Sequence, residues 1–241
     1  MATRHRLSVV IPAFNEASRL PVTLERIGAF LGASPRWLPA EVVVVDDGSS
    51  DETWVVAQRA GLPAGVELVA KRLPSNRGKG AAVREGLAAS HGEWVLISDA
   101  DLATPIEEID TLAAVGADLA SGSRGLQREL ILRHQPPLRE LGGRALNLAF
   151  RLLGLTHLTD TQCGFKLLEG GLARRVAVQL RLDGFAYDLE LLARAERAGG
   201  RVVEVPVRWF HVEESRVRPL RHGLQVLRDA VVLRCWLWLG R

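Results

Sequence analysis

The sequence predicts an α/β fold: a mostly parallel sheet flanked by helices, extended at its C-terminal end by further helices. Three observations carry this. Short β-branched runs alternate with helical patterns from residue 7 to about residue 122, the pattern of parallel βαβ units. Each polar cluster of that stretch, "PAFNE", "DDGSSD" and "DAD", follows the carboxyl end of such a run, where open α/β sheets bind ligands. The chain has 241 residues, 47% hydrophobic and 24% charged, with no internal repeat or low-complexity tract, so one globular domain over 1–241 is expected.

In order, the expected strands are "LSVVI", "EVVVVD", "VELVAK", "EWVLIS" and "ADLASG". The helices between them are "RLPVTLERIGAFL", "DETWVVAQRA", "GKGAAVREGLAAS" and "PIEEIDTLAAV". Ser49 followed by Glu52 predicts a capping box for the second helix, and Pro105 suits the first turn of the fourth. The arginine-rich "SRGLQRELILRHQPP", residues 123–137, has no period and reads as a loop over the site. A helix "LRELGGRALNLAFRLLG" follows, then a turn-like "TDTQCGFKLLE", a helix "YDLELLARAERAG", a strand "RVVEVPVRW" and a last helix from about Leu220.

Composition excludes several classes. The net charge is only +3, no block of Lys or Arg exceeds two consecutive residues and aromatics are 5%, which argues against nucleic acid as a partner. Cys163 and Cys235 match no metal-ligand spacing, so thiols in a reducing, cytoplasmic compartment are expected. The first apolar run is too short for a secretory signal, and no segment offers the roughly 18 apolar residues of a membrane span. The final "PLRHGLQVLRDAVVLRCWLWLGR" mixes Trp236 and Trp238 with leucines and arginines, so it either lies in a membrane interface or packs on the core.

The chemistry centres on "ISDADLATP". If this segment is extended, Asp99 and Asp101 point to one side. Two unit charges roughly 4 to 5 Å apart repel by about 3 to 4 kcal/mol at an effective dielectric near 20. A cation between them, or a proton on one, relieves this. Mg²⁺ and Mn²⁺ take oxygen ligands, often one or two carboxylates completed by phosphates and water. The plainer reading is a pair of helix-capping aspartates. Asp46 and Asp47 likewise suit either a ribose or base edge or a cap. "NRGKGAAVREG" fits neither a dinucleotide fingerprint nor a Walker loop, but a helix start with Asn76, Arg77 and Lys79 can meet an anion through its amides. Arginines at 124, 133, 139, 144 and 216 offer charge to phosphates, Arg124 foremost because it lies just past a buried strand.

Taken together, "VVIPAFNE", "VVVVDDGSSDET", "NRGKGAAVREG", "DADLATP", "SGSRG", "DTQCGFKLL" and "EVPVRW" resemble, in this order, the inverting glycosyltransferases of GT-A (Rossmann-like) fold. The resemblance, strongest to the dolichyl-phosphate β-glucosyltransferases and more distant to the dolichyl-phosphate mannose synthases, runs from about Leu7 to Arg234. It implies a nucleotide-sugar half over about 1–122 and an acceptor-side half over about 123–241. It also implies donor contacts from Pro12, Phe14, Glu16, Val45, Asp47, Lys79, Asp99, Ala100, Asp101, Arg124 and Arg216, with a divalent metal on Asp99 and Asp101. Arg139 is implied to face the acceptor phosphate. Ala103 stands where the mannose synthases often carry a polar residue, and Arg216 where a lysine is common.

The resemblance implies hexose transfer, glucose from UDP-glucose, onto a polyprenyl or dolichyl phosphate at the cytoplasmic face of a membrane. Asp99, Asp101 and Arg124 would then serve the departing diphosphate. A phosphate acceptor is already ionised at neutral pH; a hydroxyl acceptor would need a base, for which Asp188, Glu190 and Asp160 are the candidates. A transferase for a soluble acceptor and a catalytically silent nucleotide-sugar binder are the competing readings.

Overall fold

The computed structural model describes residues 5–133, 137–211 and 219–240, the side chains of 137–140 and 219–222 excepted. The first half runs β1 (His5–Ala13), α1 (Leu20–Gly32), β2 (Ala40–Asp46), α2 (Thr53–Arg59), β3 (Val66–Arg72), α3 (Lys79–Ala89), β4 (Gly92–Ile97), α4 (Glu108–Ala114) and β5 (Leu119–Ser123). The second half adds β6 (Ile131–Arg133), α5 (Pro137–Leu152), β7 (Lys166–Glu169), α6 (Gly170–Ala177), α7 (Tyr187–Arg197), β8 (Val202–Pro206), β9 (Trp209–Phe210) and α8 (Pro219–Trp238).

Strand order is β3-β2-β1-β4-β7-β5-β8, with β6 and β9 pairing separately. The sheet is parallel except at β7, which runs antiparallel to both β4 and β5. From β1 the chain builds outward through β2 and β3, then crosses back to place β4 on the other side of β1. The crevice at such a reversal is where α/β sheets take ligands.

The β-branched run of β1 is buried on both faces, as a central parallel strand must be. Val9 and Ile11 pack with Leu20, Leu24, Ile27 and Leu31, the inner stripe of α1. Val10 points to the opposite side, among Ala81, Ala82, Val83 and Leu87 of α3. Burying one such aliphatic side chain stabilises the fold by about 1.5–3 kcal/mol. A third cluster joins Phe150 of α5, Leu189 and Ala193 of α7, and Val226, Ala230, Leu233 and Leu237 of α8. One face of the last helix therefore packs on the core. Its other stripe leaves Leu224, Leu227, Val231 and Trp238 exposed, as α5 leaves Leu141, Leu148 and Leu152.

Four local expectations are corrected. "KLLE" is the strand β7, not part of a turn. The arginine-rich segment contains a 3₁₀ turn, Arg128–Leu130, and β6, which pairs with β9. Ser49 and Glu52 form no capping box: the Ser49 hydroxyl accepts the Asn15 N–H at 2.8 Å, and Asp51 instead accepts the Thr53 N–H at 3.0 Å. Pro105 lies ahead of α4, in a turn where its carbonyl accepts the Glu108 N–H.

Candidate active site

The loops after β1 and β2 are stitched together. Asn15, at φ +54°, accepts the Ser50 N–H on its side-chain oxygen at 2.9 Å, while the Glu16 N–H donates to the Thr53 hydroxyl at 2.7 Å. The Glu16 carboxylate is held by Arg19 at 2.6 and 2.8 Å. Of the other pocket residues the resemblance implied, Pro12 and Val45 are buried in their strands, Val45 among the apolar side chains on the α3 side of the sheet. Phe14 is half-buried.

Asp46 is fully buried and ion-paired with Arg72 at 3.0 Å. Asp47 accepts the Arg77 and Gly78 N–H groups, both at 2.8 Å. Burial raises the Asp47 carboxyl above its ordinary range, and the two amides only partly offset this. The next amides, Gly80 and Ala81, donate to the Asp183 carbonyl. At the start of α3 the protein itself thus takes the amides of Arg77, Gly78, Gly80 and Ala81, which narrows the expectation that this end meets an anion through its amides. What this end presents is the Lys79 side chain.

The "DAD" segment is a turn rather than an extended strand: β4 ends at Ile97, the Leu102 N–H donates to the Asp99 carbonyl at 3.2 Å, and Leu102 sits at φ +47°. The two carboxylates nevertheless sense each other. Burial, and then the Asp99 charge, raise the Asp101 carboxyl. Lys79 Nζ lies 2.5 Å from Asp99 Oδ1. Burial would lower this ammonium, but the Asp99 charge holds its pKa well above the ordinary lysine value. Asp101 Oδ1 accepts the Ala103 N–H at 3.0 Å, the Ala100 carbonyl accepts the Thr23 hydroxyl, and the Ala103 carbonyl accepts Phe210 N–H of β9.

These residues fit a hard divalent ion. The donors are all oxygen, and the two carboxylates repel each other when nothing lies between them. Among the described residues no group of three or more His, Cys, Asp or Glu converges on one point. A Mg²⁺ or Mn²⁺ on Asp99 and Asp101 would therefore draw further ligands from phosphate and water, as Mg²⁺ usually does.

Further along the same edge of the sheet, after β5, stands a paired cation. The Arg124 guanidinium makes a bidentate pair with Asp160 at 2.7 and 2.8 Å, and the Arg124 backbone N–H donates to the same carboxylate. Burial pushes Asp160 up, but Arg124 more than reverses this and holds the carboxyl below its ordinary range. The same pairing raises the Arg124 pKa despite burial. Beside the pair lies a cavity of about 270 Å³ lined by Arg124, Arg128, Arg144, Asn147, Asp160, Gln162 and Trp209, among others. The Arg124 guanidinium carbon lies 5.5 Å from the Trp209 ring centre. A larger, mostly apolar groove between α1 and α2 is lined by Leu24, Gly28, Val55, Val56 and Pro63, among others, and includes none of the site residues above.

The turn 160–164 links the two sides. At one end Asp160 fixes Arg124. At the other Gly164 abuts Asp99, so closely that an added Cβ would fall 2.2 Å from Asp99 Oδ2. Lys166, fully buried, holds this turn by donating to the Thr161 carbonyl at 3.2 Å, the Cys163 carbonyl at 2.5 Å and Asp188 at 2.5 Å. Asp188 is thus a buried partner of Lys166, and Glu190 of Arg194. Arg216, and the side chain of Arg139, lie outside the described residues. The sequence reading missed the roles of Lys166, Gln162 and Trp209; the signals were the compact polar string "DTQCGFK" for the first two and "EVPVRW" for the third.

The glycosyl transferase family 2 model matches residues 8–153. The human dolichyl-phosphate beta-glucosyltransferase is 34% identical over 95% of this chain and 75% of its own length. The Drosophila melanogaster protein of that name is 35% identical over 94% of this chain and 74% of its own. Among solved structures, mannosyl-3-phosphoglycerate synthase from Rubrobacter xylanophilus aligns with a TM-score of 0.70 at 21% identity, covering 98% of this chain and 76% of its own. The Mycobacterium tuberculosis glucosyl-3-phosphoglycerate synthase, in complex with Mn²⁺ and UDP-glucose, aligns with a TM-score of 0.65 at 22% identity over 96% of this chain and 79% of its own.

Proposed function

Because the chain belongs to glycosyl transferase family 2, a family of nucleotide-sugar-dependent transferases, we propose that it moves glucose from UDP-glucose onto the phosphate of a polyprenyl lipid such as dolichyl phosphate. The observation that carries the reading is a carboxylate pair after β4 and an arginine-bearing cavity after β5, joined by the one turn 160–164. The identity to dolichyl-phosphate beta-glucosyltransferases supports the choice of sugar and acceptor.

In this reading Asp99 and Asp101 hold the metal with the donor's diphosphate; a bound Mg²⁺ or Mn²⁺ supplies charge stabilisation to the leaving group. Lys79 adds a cation beside the same oxygens. Pro12, Phe14, Glu16, Val45, Asp47 and Ala100 line the donor side, with Arg216 contributing charge. We assign Arg124, which the resemblance gives to the donor's diphosphate, to the acceptor phosphate instead, because its guanidinium lines the cavity after β5; the resemblance gives Arg139 to the same phosphate. The acceptor oxygen attacks the anomeric carbon from the face opposite the diphosphate and inverts it. Because a phosphate arrives ionised, no base is required, in keeping with Asp188 and Glu190 being buried in ion pairs.

No described helix is long and apolar enough to cross a membrane. The exposed stripes of α5 and α8 are the surfaces that would rest peripherally on the cytoplasmic face. Vesicles containing anionic lipid are expected to carry the protein on flotation; a protein that stays at the bottom of the gradient contradicts the contact. For the activity itself, the protein is incubated with UDP-glucose, GDP-mannose and Mn²⁺, with and without polyprenyl phosphate, and nucleoside diphosphate is measured. Release of UDP stimulated by the lipid is expected; release that needs only a soluble acceptor would overturn the assignment.

A further inference from the structure

Resting on that donor reading, we infer that Lys79 is the resident counter-ion of the metal site. It occupies Asp99 until a divalent ion arrives together with a diphosphate, so free metal competes with Lys79 whereas metal and nucleotide together do not. The backbone of Lys79 is fixed. Gly78 before it sits at φ +117°, a conformation suited to glycine, with its N–H on Asp47, and the two amides after it are bound to the Asp183 carbonyl. Only the side chain can swing. It runs past the Tyr187 ring, 5.7 Å from its centre, and ends 2.5 Å from Asp99 Oδ1. On its other flank Asp99 meets Gly164, so the carboxylate is held between an ammonium and a bare backbone.

A divalent ion such as Mg²⁺ on Asp99 would lie about 2.0–2.1 Å from a carboxylate oxygen. Two cations would then share one carboxylate, and the mobile four-carbon stem of the lysine is what yields. Metal alone offers the displaced ammonium no new partner. Metal carrying a diphosphate does, because its phosphate oxygens accept charge-assisted hydrogen bonds from the same ammonium. The site is thereby selective for the metal–nucleotide complex over the free ion.

The test is a titration with Mn²⁺, followed through the EPR signal of the free ion, on the full chain with and without UDP. Lys79→Met is expected to bind Mn²⁺ alone about fivefold to tenfold tighter than the wild type, and Mn²⁺ in the presence of UDP about as many-fold more weakly. Lys79→Arg, which keeps the cation, stays within about twofold of the wild type for Mn²⁺ alone. Lys79→Gln carries the same expectation as Lys79→Met should the latter fail to fold by circular dichroism. Unchanged or weaker Mn²⁺ binding by the uncharged variant overturns the inference. Asp101→Ala separates this from the underlying reading: if it abolishes Mn²⁺ binding while Lys79→Met changes nothing, only the role of Lys79 fails. If Asp101→Ala binds Mn²⁺ like the wild type, the metal site itself is wrong.

Discussion

The two sides of the crevice hold their charge differently. After β4, the cation on Asp99 is a flexible lysine, and the Asp101 carboxyl is raised by burial and by its neighbour's charge. This side is arranged for exchange of one cation for another. After β5, Arg124 is clamped by three hydrogen bonds to Asp160, which is itself held by the Thr159–Gln162 turn: the Asp160 N–H donates to Glu204 and the Gln162 N–H to Asp160. Asp160 takes two of the five guanidinium N–H groups. This side is preorganised, with its cation fixed in place before an anion arrives, which is how electrostatic stabilisation avoids reorganisation during reaction.

The largest expected effect comes from removing the exchangeable side. Asp101→Ala should lower Mn²⁺-dependent UDP release by about 10²–10³-fold while its circular dichroism stays that of the wild type, since the change removes a half-buried charge from a turn and no apolar core contact. Activity retained in excess EDTA would break the contrast at its acidic end.

Next comes the linker between the sides. Lys166→Met leaves Asp188 buried without its cation and frees the turn that positions both Asp160 and Gly164. Stability should fall by about 3–5 kcal/mol in urea denaturation. A loss below about 1 kcal/mol would mean that the turn is held by other contacts.

A smaller effect concerns acid. The Asp160 carboxyl lies below its ordinary 3.8 in the folded protein, so its contribution to stability is complete above that pH and is lost as pH falls toward the folded value. The stability advantage of the wild type over Asp160→Asn should therefore shrink below pH 3.8 and be constant above it. A constant difference through the acid range would show that Arg124 does not hold this carboxylate down.

The acidic side was far more legible in the sequence than the basic side, for reasons of distance along the chain. The runs that became β1 to β5 are β-branched and continuous, and "DAD" directly follows one of them, so both its place and its chemistry follow from local pattern. Its backbone shape did not, because Leu102 adopts a left-handed conformation that leucine rarely shows. β7 was missed since four residues of "KLLE" carry no period, and its strand state comes from pairing with β4 and β5. β6 and β9 are shorter still. The cap on α3 needs Asp47 to reach residues 77 and 78, and the clamp on Arg124 needs a residue 36 positions away. The burial of Asp188 follows from Lys166 on another element. Such long-range pairings leave no trace in spacing or composition.

The central claim is that one side of the crevice presents a donor and the other takes an acceptor that is already an anion. Measured with UDP-glucose and Mn²⁺, glucosyl transfer to polyprenyl phosphate, to the corresponding polyprenol lacking phosphate and to a soluble sugar tests it directly. Labelled lipid product should form with polyprenyl phosphate and not with the polyprenol or the sugar; equal transfer to the polyprenol would contradict the account.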